Sequence, residues 1–260
     1  VGLDTGISQL NMLPEYVDTV IAKYNPSFIT VSGNVYNAGT STALTECDAS
    51  SSTHELSLRA SGATYTTSCS DSDGSFTFSN VTPPSTGEGM VIWIDDAEAP
   101  ETDGAMVIRY NTGNSADNIF YDDTVTITSD DTNPVDILDM DTYDNGNDGD
   151  IPYTASDLAT DTLVVNSGYD LLVKIKSGVT AGSDVFDPNG TVSFNGSDNL
   201  HIDDDSDAYL DTNSNSIGGD VTVDSGATLN INGNTSVSGG DITVTGTNTG
   251  KATVSMTNSG

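Results

Sequence analysis

Leu163-Val-Val-Asn-Ser-Gly-Tyr-Asp-Leu-Leu-Val173, Val192-Ser-Phe-Asn-Gly-Ser-Asp-Asn-Leu-His-Ile202 and Val221-Thr-Val-Asp-Ser-Gly-Ala-Thr-Leu-Asn-Ile231 decide the fold. Laid over one another with Leu163, Val192 and Val221 in register, their first, third, ninth and eleventh positions are apolar in every copy. Turn formers separate the halves at matching places: Asn166-Ser-Gly168, Asn195-Gly-Ser197 and Asp224-Ser-Gly226. Alternate residues of a strand point the same way, so each copy reads as strand, polar turn, strand with one apolar row facing inward. A period of about 29 residues without a helical stretch is the sequence form of stacked β-solenoid coils. Three coils at the usual strand spacing stand only about 14 Å tall. That suits a spacer or a stacking surface better than a catalytic scaffold.

Working outward toward the amino terminus, short alternating strands are expected at Phe28–Tyr36, Glu55–Ala60, Tyr65–Ser68, Ser75–Phe78, Met90–Ile94, Met106–Tyr110, Val125–Thr128 and Val135–Leu138. Seven or eight strands with turns rich in Gly, Asp and Ser indicate an antiparallel β-sandwich. Residues 14–24 read as one helix: Pro14 suits its first position, and Asn25-Pro26 ends it. The expected fold is therefore all-β. A segment with a short helix (1–27) precedes a β-sandwich (28–138), an acidic linker and hinge candidate (139–160) and a solenoid (161–260). Val1 in place of Met makes a processed chain or an excerpt of a longer one the expectation.

The stretch Ile29-Thr-Val-Ser-Gly-Asn-Val-Tyr36, followed by Asp71-Ser-Asp-Gly-Ser-Phe-Thr-Phe-Ser-Asn-Val81, resembles the carboxypeptidase-regulatory-like and related prealbumin-type modules of surface proteins. The resemblance covers part of the sandwich region and implies a stalk or spacer, with no catalytic residues to transfer. The rungs typified by Gly219-Asp-Val-Thr-Val-Asp-Ser-Gly-Ala-Thr-Leu-Asn-Ile231 resemble the β-helical repeats of large bacterial surface proteins and filamentous adhesins.

Six basic residues against 39 acidic ones leave a formal charge of −33, which repels nucleic acid and anionic membrane surfaces. No apolar run has the length of a membrane span. The acids are nearly all Asp, 33 against six Glu. Asp in turns bonds the local backbone and offers hard oxygen ligands, so Ca²⁺ is the expected cofactor. Three clusters are candidate ligand sets: Asp71 and Asp73; Asp139, Asp141, Asp144, Asn145, Asp148 and Asp150; and Asp203, Asp205 and Asp207, with Asp204 and Asp211 nearby. None has EF-hand spacing, and a solvated acidic turn is the competing reading of each. Cys47 and Cys69 lie within one module; in an exported protein they would pair, contributing about 3 kcal/mol, the alternative being two buried thiols.

Catalysis has little to draw on. His54 and His201 are the two histidines, the basic residues make no cluster for acidic sugars, and a carboxylate pair picked from 39 acids selects nothing. Trp93, Tyr110, Tyr121 and Tyr143 offer a sugar-stacking surface or, more simply, core aromatics. The expected function is a non-enzymatic extracellular or cell-surface structural protein, polymerising with itself through the N-terminal segment and the solenoid end. The alternative is an adhesin-type module that binds glycan or a partner cell; insertion into membranes is not expected.

Overall fold

The computed structural model describes residues 28–44, 55–70, 72–95, 103–157, 161–181, 183–210, 214–246 and 251–256. The helix expected at 14–24, His54, and the ligand or disulfide candidates Asp71 and Cys47 lie outside them. The chain is all-β, in several sheets with no closed barrel among the described residues.

Eight strands come first: β1 (Ile29–Tyr36), β2 (Glu55–Ala60), β3 (Ala63–Thr67), β4 (Ser75–Val81), β5 (Gly89–Asp95), β6 (Ala105–Arg109), β7 (Ser115–Tyr121) and β8 (Thr124–Ser129). A three-stranded sheet runs β4-β1-β7, with β1 antiparallel to β4 and parallel to β7. Its close packing explains the glycine in Val31-Ser-Gly33-Asn-Val35. A Cβ on Gly33 would stand 1.8 Å from the carbonyl oxygen of Asn118 on β7. Strand β7 is not legible in sequence because its first half, Ser-Ala-Asp-Asn, is polar, and Asp117 takes a left-handed φ of 57°.

A short helix α1 (Ile137–Asp141) follows, where the sequence leads one to expect a strand over Val135–Leu138. Asp136 caps it: its carboxylate accepts the Asp139 amide at 2.9 Å, and the Asp139 side chain accepts the Asp136 amide in return. Val135 keeps one isolated bridge, to Phe186. Beyond α1, Tyr143 and Ile151 are buried, and β9 (Tyr153–Ser156) pairs antiparallel with the strand that follows it. Residues 139–157 are thus packed structure, contrary to the hinge expected over 139–160, because Ile137, Met140, Tyr143, Ile151 and Tyr153 supply apolar side chains to one core.

The remaining strands come in threes: β10 (Thr162–Val165), β11 (Asp170–Val173), β12 (Ser183–Phe186); β13 (Thr191–Phe194), β14 (Leu200–Ile202), β15 (Ser206–Leu210); β16 (Asn215–Ile217), β17 (Val221–Val223), β18 (Thr228–Ile231); β19 (Thr235–Val237), β20 (Ile242–Val244), β21 (Thr253–Met256). The first of each three joins the sheet β19-β16-β13-β10-β9, and the third joins β12-β15-β18-β21. The second joins a nine-stranded sheet, β20-β17-β14-β11-β8-β6-β5-β2-β3, which continues into the amino-terminal strands.

This arrangement corrects the repeat. Leu163 lies opposite Val192, and Leu171 opposite Leu200, at the expected separation. The next step is shorter: Val221 lies opposite Leu200, and Leu229 opposite Ala208. The third copy therefore belongs one sheet further round than its alignment implies, and the described residues form four layers of three strands rather than three of two. Most of these strands carry the same apolar-x-apolar signature, those of the three aligned copies included, so an offset frame matches as well as the true one.

Two cores share one wall. Along β5, Met90, Ile92 and Ile94 face a core with Val31, Val35, Phe76, Phe78 and Phe120. Val91 and Trp93 on the same strand face the other core, with Val125, Leu171, Leu200 and Leu229. Burial on both faces is why Met90-Val-Ile-Trp-Ile94 is an unbroken apolar run.

Candidate functional site

The expected ligand carboxylates are mostly engaged by the protein itself. Asp139 is 5% exposed and accepts from Arg109 Nη1 at 2.7 Å. Burial outweighs that ion pair and lifts its carboxyl to about 6. Asp144 accepts the amides of Gly146 at 2.9 Å and Ala155 at 3.0 Å, closing the turn ahead of β9. Asn145 donates to the carbonyls of Gly149 and Ile151. Asp73 accepts the Ser75 amide at 3.0 Å, and hydrogen bonds centred on Ser75 hold its pKa down. Asp141 has its pKa raised by burial and by Asp144. Asp205 sits in a turn with φ of 59°. Asp207 is on β15 beside Asp184, its pKa raised chiefly by burial. Cys69 is buried, at an isolated bridge to Phe76.

Among the described residues, two groups bring three metal-ligating side chains within 4.8 Å of one another. In the first, Asp148 and Asp150 from the turn after α1 meet Asp95 at the end of β5. Asp103, close by, has its pKa raised to about 6, first by burial and then by Asp150, with Asp148 and Asp95 adding to it; the Tyr169 hydroxyl donates to it at 3.2 Å. Sequence reasoning finds Asp148 and Asp150, whereas Asp95 and Asp103 lie far upstream of them in the chain.

The second group is His201, Asp203 and Asp224. On β14, Leu200 and Ile202 point inward, so His201 points out. The pairing of Ile202 with Val223 places Asp224 one layer above Asp203, and the Asp224 amide donates to the Ile202 carbonyl at 3.0 Å. His201 Nε2 lies 2.6 Å from Asp224 Oδ2, and Asp203 pairs with Lys174 Nζ from the layer below. In sequence His201 is one of two histidines and Asp203 part of a local cluster; the shorter second step of the repeat is the signal that joins Asp224 to them.

This group borders a cavity of about 250 Å³ between the β11 and β14 strands and the loop after β1. Thr40, Tyr121, Leu172, Lys174, His201 and Asp203 line it. Of the four aromatics offered for sugar stacking, Trp93, Tyr110 and Tyr143 are buried. The Tyr143 ring lies 5.1 Å beneath the Arg59 guanidinium, and its hydroxyl accepts the Gly62 amide at 2.7 Å. Tyr121 borders the cavity.

No helix of the described residues is long and apolar enough to cross a membrane. Comparisons with protein-family models, with curated proteins and with solved structures find no match.

Proposed function

We propose that the protein is a non-enzymatic structural subunit of the cell exterior, a β-sandwich continued by a short three-sided β-solenoid, which assembles with further copies of itself into a filament or layer. The observation that carries this reading is the last layer. Strands β19, β20 and β21 are outermost in their sheets among the described residues. Ile242 is 42% exposed there, Val244 47% and Met256 66%. A three-sided set of strand edges with exposed apolar rows is a template for further β-pairing. A second copy is the proposed occupant: at the amino-terminal end of the stack β10 is paired by β9 and β11 by β8, whereas β12 is an outermost strand among the described residues, bridged at Phe186 by Val135.

The resemblance of residues 29–36 and 71–81 to prealbumin-type surface modules supports the location, as does a charge of −33. Self-association at that charge needs counterions. Ca²⁺ is the proposed one, held by turn carboxylates such as Asp95, Asp148 and Asp150, and Cys47 is proposed to pair with Cys69. Assembly is tested by analytical ultracentrifugation and negative-stain microscopy in millimolar calcium, after chelation, and with Ile242→Lys plus Val244→Lys. Assemblies that disappear in the double variant support the reading; a chain that stays monomeric at every calcium and salt concentration overturns it. In that case the cavity beside Tyr121, with Lys174 and His201 as donors and Asp170 and Asp203 as acceptors, favours the adhesin-type alternative and would be screened with glycans.

A further inference from the structure

Two carboxylates in successive layers of a parallel stack repel each other unless a cation lies between or beside them. Asp203 and Asp224 are such a pair: the Lys174 ammonium pairs with Asp203, and a ring nitrogen of His201 lies at hydrogen-bond distance from Asp224. The imidazole separates this group from the many acidic turns of the surface. Those turns offer oxygen alone, whereas here a ring nitrogen and two carboxylates from two layers converge within 4.8 Å. His201 and Asp203 also line the cavity of about 250 Å³, so one side of the group stays open to solvent and ligands.

We propose that His201, Asp203 and Asp224 form a binding site for a divalent transition-metal cation, best represented by Zn²⁺. Imidazole nitrogen with carboxylate oxygen suits zinc, which is satisfied by three protein ligands and a fourth exchangeable one. Calcium needs six to eight oxygens, more than this group supplies. Tetrahedral zinc at ordinary bond lengths sets its donors about 3.4 Å apart. The group reaches that spacing by side-chain rotation, the His201–Asp224 contact opening slightly and Asp203 closing in. Lys174 then gives up Asp203 and turns toward the cavity. Its ammonium is the resident cation with which the metal competes, and the vacated position faces the cavity, where water or an anionic group completes the coordination.

The site is independent of the proposed assembly and of the proposed calcium. The test is isothermal titration of the full chain with zinc chloride in excess calcium, which occupies the oxygen-only surface sites. One zinc per chain is expected. His201→Gln and Asp224→Asn should each weaken it by at least about tenfold. Lys174→Gln should tighten it, because the competing ammonium is gone. The chain has two histidines, so nitrogen NMR of the imidazoles reads the site directly, with His54→Gln identifying which signal belongs to His201. Equimolar zinc should move the His201 signal and leave that of His54 in place. The side chains replaced at His201, Asp224 and Lys174 lie outside both apolar cores, and circular dichroism checks that each variant folds. Zinc binding of equal affinity in His201→Gln, or a His201 signal indifferent to zinc, overturns the proposal.

Discussion

Lys176 shows how much a single side chain carries here. It leaves the turn after β11, is 7% exposed, and reaches Asp130, itself 9% exposed, together with the Ser115 hydroxyl at 2.8 Å. Burial lowers its pKa and Asp130 opposes that shift, so the ammonium depends on its partner to remain charged. The contact joins the turn after β11, the end of β8 and the start of β7, three segments far apart in sequence. Lys176→Ala should cost about 3 to 5 kcal/mol in urea unfolding, since it strands a buried carboxylate. Replacing both partners, as Lys176→Met with Asp130→Leu, should recover most of that loss. If the double variant is as unstable as the single one, the site's role is steric. Sequence counts Lys176 among six basic residues but cannot pair it, because nothing local points to so distant a partner as Asp130.

At the scale of the element, the stack is aligned by a column of side chains as well as by apolar rows. The Asn199 amide donates to Asp170 Oδ1 at 2.8 Å, the Asp220 amide to Asn199 Oδ1 at 2.8 Å, and the Asp241 amide to Asp220 Oδ1 at 2.8 Å. Each layer thus hands one acceptor to the backbone of the next, at sequence steps of 29, 21 and 21. Asn199 is the neutral member, and its side-chain nitrogen also donates to Asp170 at 3.0 Å. Asn199→Asp should destabilise the protein by about 1 kcal/mol at low salt, because four carboxylates then stand in line. Most of that loss should return in 1 M salt, where the screening length falls to about 3 Å. A penalty indifferent to salt would trace instead to the lost Asn199 donor. The turn residues of this column are visible in sequence, but their partners are not, because a constant step equal to the first one pairs Asp220 with Thr191 instead of Asn199.

For the whole molecule, charge couples stability to pH. Asp103 and Asp139 have folded pKa values raised to about 6 from 3.8, in both cases chiefly by burial. The folded state therefore holds protons more tightly than the unfolded one between those values, and the stability from this source is present below about pH 4 and lost as pH rises through 6. The urea midpoint should be higher at pH 5 than at pH 7. Asp103→Asn should flatten that slope, because it removes one titrating group and the repulsion from Asp150, Asp148 and Asp95. An unchanged slope in the variant would assign the pH dependence to the net charge of −33 instead.

Local chemistry was enough to determine the all-β character, the places of the first eight strands apart from β7, and the turns, since alternation and turn formers act over a short stretch of chain. The need for Gly33 and Gly74 lies outside that legible part: a Cβ would collide with the Asn118 carbonyl in one case and with the Val35 carbonyl in the other, both distant in sequence. Only the tertiary structure decided which strand lies beside which. Short apolar-x-apolar strands are interchangeable in sequence, and their order is set by turn length and by the closure of three sheets around one core. Only the tertiary structure, too, could set His201 beside Asp224 and Asp95 beside Asp150. Parallel stacking joins residues a full layer apart, a distance at which local pattern carries no information.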